Sequence, residues 1–183
     1  MIYIIGRFIL TILTKTNLFS MSNYSNIKYF STQNGDGVRT CVFFSGCRHH
    51  CNGCFNQIAW NFNHGNKFTQ EVIDEVLESI KPEYIAGLSI LGGEPLVEEN
   101  VDAVDDLITQ FRKKFGNTKN IWMWTGYKIT EFNEKQRSVA LKCDYVVDDR
   151  FEISKADMKL VFKGSSNQII WHIDDGEFVN TGR

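Results

Sequence analysis

The stretch VRTCVFFSGCRHHCNGCFNQ, residues 38 to 57, joins two patterns without a break. Val38 to Phe44 is rich in β-branched and aromatic residues, the composition of a short buried strand. Directly after it, Cys47, Cys51 and Cys54 stand in C-x3-C-x2-C spacing, in a loop shared with His49, His50 and Gly53. Three of the five cysteines therefore fall within eight positions at the C-terminal end of a predicted strand. Open α/β sheets and barrels gather their chemistry at that end, because the loops there share one crevice.

Outward from this stretch the chain alternates short apolar runs with amphipathic segments, the βαβ rhythm of a mostly parallel sheet covered by helices. TQEVIDEVLESIK places Val72, Ile73, Val76, Leu77 and Ile80 on one helical face, with Thr69 as its N-cap. IAGLSIL (Ile85 to Leu91) reads as a buried strand that ends in GGEP. ENVDAVDDLITQFRKKF carries Val101, Val104, Leu107, Ile108, Phe111 and Phe115 at helical spacing and stops at Gly116. NIWMWTGY predicts a strand and turn, a capped helical segment starts at Thr130, and DYVVDD predicts a further strand. Two late β-runs, MKLVF and QIIWHI, flank KGSSN. The fold expected is an α/β partial, TIM-like barrel of parallel strands with outer helices and an open side. Length agrees, since a full eight-unit barrel takes about 250 residues and the chain has 183.

Hydrophobic residues make up 43% and charged residues 23%, a globular composition that fits one domain. The net charge of -2 comes without any Lys/Arg-rich run, which argues against nucleic-acid binding. An odd number of cysteines, three of them clustered, is not a disulfide framework, so a reducing, cytoplasmic setting is expected. The opening MIYIIGRFILTILTKTNLFS is apolar but interrupted by Arg7 and short of the about 20 apolar residues of a spanning helix, so no membrane is expected. Met21 follows it, and residues 1–20 read as an upstream extension outside a single domain over 21–183.

Three soft thiolates in this spacing suit iron or zinc. A 4Fe-4S cluster is normally closed by four cysteines, so three leave one iron open. Cys41, inside the strand, and Cys143, alone before DYVV, read as small buried hydrophobes. Zinc needs a fourth ligand, and His49 and His50 lie inside the loop rather than in a separate ligand pair; both read as solvated loop residues. The cysteines alone favour iron-sulfur over zinc only modestly. GGEP adds weight, because Gly92 and Gly93 let the backbone approach a ligand and Glu94 can accept charge-assisted hydrogen bonds from an ammonium group. By itself such a segment is also a common strand-to-helix turn opening at Pro95.

Together these residues resemble the radical S-adenosylmethionine enzymes, whose signature is C-x3-C-x2-C after the first strand and GGE after the second. NGDGVRTCVFFSGCRHHCNGCFNQ, LSILGGEPL, IWMWTGY and KGSSNQ, in this order, look like the activating proteins of anaerobic, class III ribonucleoside-triphosphate reductases, over nearly everything from Tyr24 to Trp171. The resemblance implies a 4Fe-4S cluster on Cys47, Cys51 and Cys54, and S-adenosylmethionine chelating the open iron. It implies that Gly92, Gly93 and Glu94 receive the methionyl ammonium and that the backbone of Gly53, Cys54 and Phe55 meets the adenine. It further implies a glycine loop of the reductase as substrate and a low-potential electron donor such as flavodoxin. Phe55 follows the third cysteine where many radical enzymes have an aromatic residue before it. VVDDRF carries Asp149 where the family tends to have glycine. Trp122, Trp124, Tyr127 and the KGSSNQ loop receive no catalytic role. The rival readings are an activase of another glycyl radical enzyme such as pyruvate formate-lyase, a small-molecule radical enzyme such as a deazaguanine synthase, and a non-catalytic zinc-binding interaction module.

Overall fold

In a computed structural model that describes residues 22–183, four parallel strands form the centre of one eight-stranded sheet. They are β2 (Val38–Phe44), β4 (Ile85–Gly92), β5 (Asn120–Trp124) and β6 (Tyr145–Asp148), paired in that order. Antiparallel strands extend both sides. β1 (Asn23–Ser31) lies beside β2 and β3 (Asn66–Lys67) beside β1, while β7 (Ile169–Asp174) pairs with β6 and β8 (Glu177–Asn180) with β7. The sheet is open, running from β3 to β8. The α/β class and the parallel centre agree with the sequence reading; the fold is mixed, with parallel pairing confined to the four strands joined by crossovers and antiparallel strands on both flanks. The extension expected over residues 1–20 lies outside the described residues.

Among the described residues, three α-helices, α1 (Gln70–Ser79), α2 (Glu98–Phe115) and α3 (Glu134–Ala140), share one core with alternate strand residues. Val42, Phe44, Leu88, Ile90, Ile121 and Met123 pack there against Ile73, Val104, Leu107 and Phe111. Period-2 alternation sends Arg39, Phe43, Ser89, Leu91, Trp122 and Trp124 to the opposite face of the same strands. There Trp122 stacks on Trp124 and Tyr145 and, with Val147 and Ile170, forms a second cluster.

The helix ends follow elementary capping rules with local departures. Thr69 has extended N-cap backbone, but its side chain bonds the Glu71 carboxylate rather than capping a backbone N–H. Gly116 ends α2 at φ 56, its N–H on the Arg112 carbonyl at 2.8 Å. The segment expected from Thr130 is a 3-10 turn over Ile129–Glu131, and α3 proper starts three residues on, behind a capping box of Asn133 and Gln136. Met158 to Phe162, expected as a strand, is a loop of turns and bends, with Phe162 at φ 61 and an isolated bridge, Ala156 to Ser165, at its base. Strand propensity expresses fit to neighbouring strands, and this run has none; Leu160 and Phe162 turn toward a cavity instead.

At the N-terminal end of the parallel strands, Arg39 is completely buried. Its Nε donates to Ser89 Oγ at 2.7 Å, Nη1 to Asn120 Oδ1 at 2.6 Å and the Asp36 carbonyl at 3.0 Å, and Nη2 to the carbonyls of Leu88 at 2.6 Å and Asn120 at 3.0 Å. Burial pushes its pKa down to about 10, so it stays charged at neutral pH. Gly35, at φ 103, covers this end so closely that a Cβ would stand 2.9 Å from the Trp122 ring and 3.1 Å from Arg39 Nε.

Candidate functional site

At the opposite end of the strands, the backbone first ties the cysteine loop down. Gly46 N–H reaches the Ala59 carbonyl at 2.8 Å and Cys47 N–H the Trp60 carbonyl at 3.2 Å, both in a 3-10 turn over Gln57–Trp60. The adjoining loop after β4 is laced to it: Gly93 N–H donates to the Phe44 carbonyl at 2.7 Å and Glu94 N–H to the Gly46 carbonyl at 2.8 Å. This close approach is what the two glycines permit. A Cβ on Gly93 would lie 2.5 Å from the Gly46 carbonyl oxygen, and one on Gly92, at φ 119, would strike the Phe44 carbonyl.

The two loops wall one cavity of about 380 Å³, which Cys47, Cys51, Cys54, Phe55, Gly92, Gly93 and Glu94 all line together with Trp124 and Thr125. That volume lies in the range of small-molecule sites. Phe55 sits at the rim with 96% of its surface exposed. Gly53, at φ 76, lies against the Ile153 side chain, which occupies the space a Cβ would need. Cys41 and Cys143 are buried away from the cavity lining, as small apolar residues are.

All five cysteines are free thiols. Burial raises the Cys47 pKa to about 11, against the pull of the His49 and His50 backbone N–H groups, and burial raises that of Cys51, against the Phe151 N–H. Backbone donors thus point at two of the three sulfurs. Soft thiolates suit iron. Among the described residues no three His, Cys, Asp or Glu side chains converge as ligands of a single ion. A four-iron cluster asks for something else, since it meets each sulfur with a different iron, and Cys47, Cys51 and Cys54 all line the one cavity.

Glu94 is the best-connected side chain of the site, at 1% exposure. Its Oε1 accepts from Leu96 N–H at 2.9 Å and Thr125 Oγ1 at 2.7 Å; its Oε2 accepts from Gly126 N–H at 2.7 Å and His49 Nε2 at 2.9 Å. The expectation that His49 is a solvated loop residue is therefore corrected. Its side chain is 8% exposed, its Nδ1 accepts from Arg150 Nε at 3.2 Å, and its ring meets Tyr127 edge-on with centroids 4.5 Å apart. His50 does stay in the loop, at φ 47, stacked on Trp60.

The late motifs acquire structural roles here. Trp124 Nε1 donates to the Phe162 carbonyl at 2.8 Å, which holds the 156–165 loop against the cavity. Within KGSSNQ, Gln168 Oε1 accepts from Gly164 N–H at 2.8 Å and its Nε2 donates to the Asp149 carbonyl at 3.1 Å; Asn167 Nδ2 donates to the Arg150 carbonyl at 2.8 Å. Asp149 takes φ 77, the left-handed conformation that glycine adopts freely, and its Oδ1 accepts the Arg150 N–H at 2.8 Å. Thr125, His49 and Arg150 escaped sequence reasoning, because they meet Glu94 or each other across 31, 45 and 101 residues.

A family profile described as 4Fe-4S single cluster domain matches residues 33–171. An anaerobic ribonucleoside-triphosphate reductase-activating protein of Vibrio cholerae is 37% identical over 150 residues, covering 81% of this chain and 96% of the relative. Its namesake in Escherichia coli is 36% identical over 153 residues, covering 82% and 99%. That of Haemophilus influenzae is 36% identical over 148 residues, covering 79% and 95%.

Proposed function

From the premise that the chain belongs to the family of anaerobic ribonucleoside-triphosphate reductase-activating proteins, we propose that it is a radical S-adenosylmethionine activase that installs a glycyl radical on such a reductase. The observation that carries this reading is the single cavity walled by Cys47, Cys51 and Cys54 on one side and by Gly92 to Glu94 on the other. Cys47, Cys51 and Cys54 would each hold one iron, leaving a fourth open to the methionyl amino and carboxylate groups. When bound, the cluster and S-adenosylmethionine supply reductive cleavage of a carbon–sulfur bond and the hydrogen abstraction that leaves a radical on a glycine of the partner.

This chain's own residues bind, orient and exclude water. The Gly92–Glu94 segment would receive the methionyl ammonium, its backbone brought close by the absence of two side chains. Gly53, Cys54 and the exposed ring of Phe55 would meet the adenine at the rim. Trp124, Leu160 and Phe162 give the cavity apolar walls, which keep water from a reactive intermediate. The reductase is the partner, a low-potential donor such as flavodoxin supplies electrons, and the setting is cytoplasmic; among the described residues no helix is long and apolar enough to cross a membrane. The partial-barrel description stands on the same footing, supported by helices on one face of the sheet and the cavity on the other.

The test is anaerobic reconstitution with iron and sulfide, followed by incubation with S-adenosylmethionine and a strong reductant. Formation of 5'-deoxyadenosine well above a cluster-free control is expected. No excess over that control, in protein that carries its iron, overturns the reading.

A further inference from the structure

We propose that His49 is a positioning residue, a brace that sets the distance between the cysteine loop and the Gly92–Glu94 segment, and that Arg150 latches it. The inference deepens the cofactor reading above and rests on it. A carboxylate offers about four lone-pair sites, and four donors occupy those of Glu94. The carboxylate is thus engaged as a hub, which leaves the segment's backbone to meet a ligand. Leu96 is a local donor, and Thr125 and Gly126 follow β5; His49 alone comes from the cysteine loop. It therefore couples the wall that carries the sulfurs to the wall that takes the cofactor.

The imidazole is held in one orientation. Arginine Nε is always a donor, so the bond from Arg150 Nε makes His49 Nδ1 the acceptor and places the ring proton on Nε2, facing Glu94 Oε2. The ring fits against Gly126, where a Cβ would stand 2.8 Å from Nε2, and against Tyr127. Arg150 is positioned in turn by Asn167 on its carbonyl and by Asp149, whose own carbonyl Gln168 holds. The chain of support runs from KGSSNQ through Arg150 and His49 to Glu94 and on to Thr125. It joins four sequence motifs that lie far apart along the chain.

His49→Phe keeps a ring beside Tyr127 and removes both hydrogen bonds, whereas His49→Gln can still donate to Glu94 and accept from Arg150. In reconstituted protein, His49→Phe should retain wild-type iron, bind S-adenosylmethionine about tenfold or more weakly, and lose part of the cofactor-induced change in the electron paramagnetic resonance spectrum of the reduced cluster. His49→Gln should stay within about threefold of wild type. Unchanged affinity and spectrum in His49→Phe, or equal damage in both variants, overturns the brace. Should His49→Phe lose its iron, Arg150→Met carries the test, since the residue lies at the exposed rim: weaker cofactor binding at full iron content supports the latch, and unchanged binding overturns it. The tautomer is read separately in metal-free protein by nitrogen-15 correlation spectra, where the Nε2–H form is expected and the Nδ1–H form contradicts the brace. Wild-type protein that fails to bind S-adenosylmethionine sinks the cofactor reading, while the tautomer still judges His49.

Discussion

The two ends of the four parallel strands obey the same rule with opposite outcomes. Buried polar groups need partners, and at the N-terminal end Arg39 finds all of them within the chain, under the lid that Gly35 forms. At the C-terminal end the chain supplies N–H donors for Cys47 and Cys51, and burial raises the pKa of both thiols. One end is closed by its own residues and contributes stability. The other is a cavity whose walls are joined by backbone bonds between the two loops and by Glu94, which gathers both loops and the end of β5 around it.

If this division holds, substitutions at the two ends should separate loss of cluster from loss of stability. The largest effect belongs to the open end: Cys47→Ala, Cys51→Ala and Cys54→Ala should each abolish cluster assembly, measured as iron and sulfide per protein. Cys41→Ala and Cys143→Ala should keep the cluster. Loss of iron from natively folded Cys41→Ala would break the three-ligand account. At the closed end, Arg39→Met removes five hydrogen bonds, to Ser89, Asn120, Asp36 and Leu88, from a buried site and should cost about 3–5 kcal/mol in urea unfolding of the iron-free protein. A cost under about 1 kcal/mol would show that this end tolerates unmet acceptors and erase the contrast. Smaller than either, the effect of Glu94→Gln comes from turning an NH2 group toward two donors while leaving every iron ligand. Cofactor affinity should fall by one to two decades, since a hydrogen bond with a charged partner contributes about 1.5–3 kcal/mol.

Two smaller effects sharpen the comparison. Cys47 has its pKa raised from 9.0 to about 11 in the folded, iron-free chain. Its contribution to stability is therefore complete below about pH 9 and lost as pH rises toward 11, by about 2 kcal/mol. Urea unfolding across that window should show the loss, and Cys47→Ala should flatten it; an equal slope in both proteins would assign it elsewhere. Smallest of all, Asp149→Gly relieves the left-handed backbone at φ 77 and should raise the unfolding midpoint by the equivalent of up to about 1 kcal/mol. A fall instead would mean that the Asp149 side chain on the Arg150 N–H outweighs the backbone strain.

What could be read from the sequence was whatever lies within a few residues. The cysteine spacing, the Gly-Gly-Glu segment and the apolar periodicity of α1 and α2 are local, and all sit where expected. β1 was not recognised because NYSNIKYFS mixes polar and apolar residues on both faces, as an exposed outer strand does. β8 was recognisable and was missed: Asp175 and Gly176, at φ 48 and 77, form the two-residue Asp-Gly turn that joins β7 to it. Met158 to Phe162 has strand composition without a strand to pair with. The hub at Glu94 and the closure around Arg39 were out of reach for a different reason, since Asn120 meets Arg39 across 81 residues and Arg150 meets His49 across 101. Only the fold brings such partners together.

The most direct measurement of the proposed activity is electron paramagnetic resonance of the reduced, reconstituted protein mixed with S-adenosylmethionine and the class III reductase from the same source. A glycyl radical doublet, accompanied by nucleotide reduction when substrate is added, is the predicted result, while the same mixture with pyruvate formate-lyase stays silent. A doublet on pyruvate formate-lyase and none on the reductase would contradict the account.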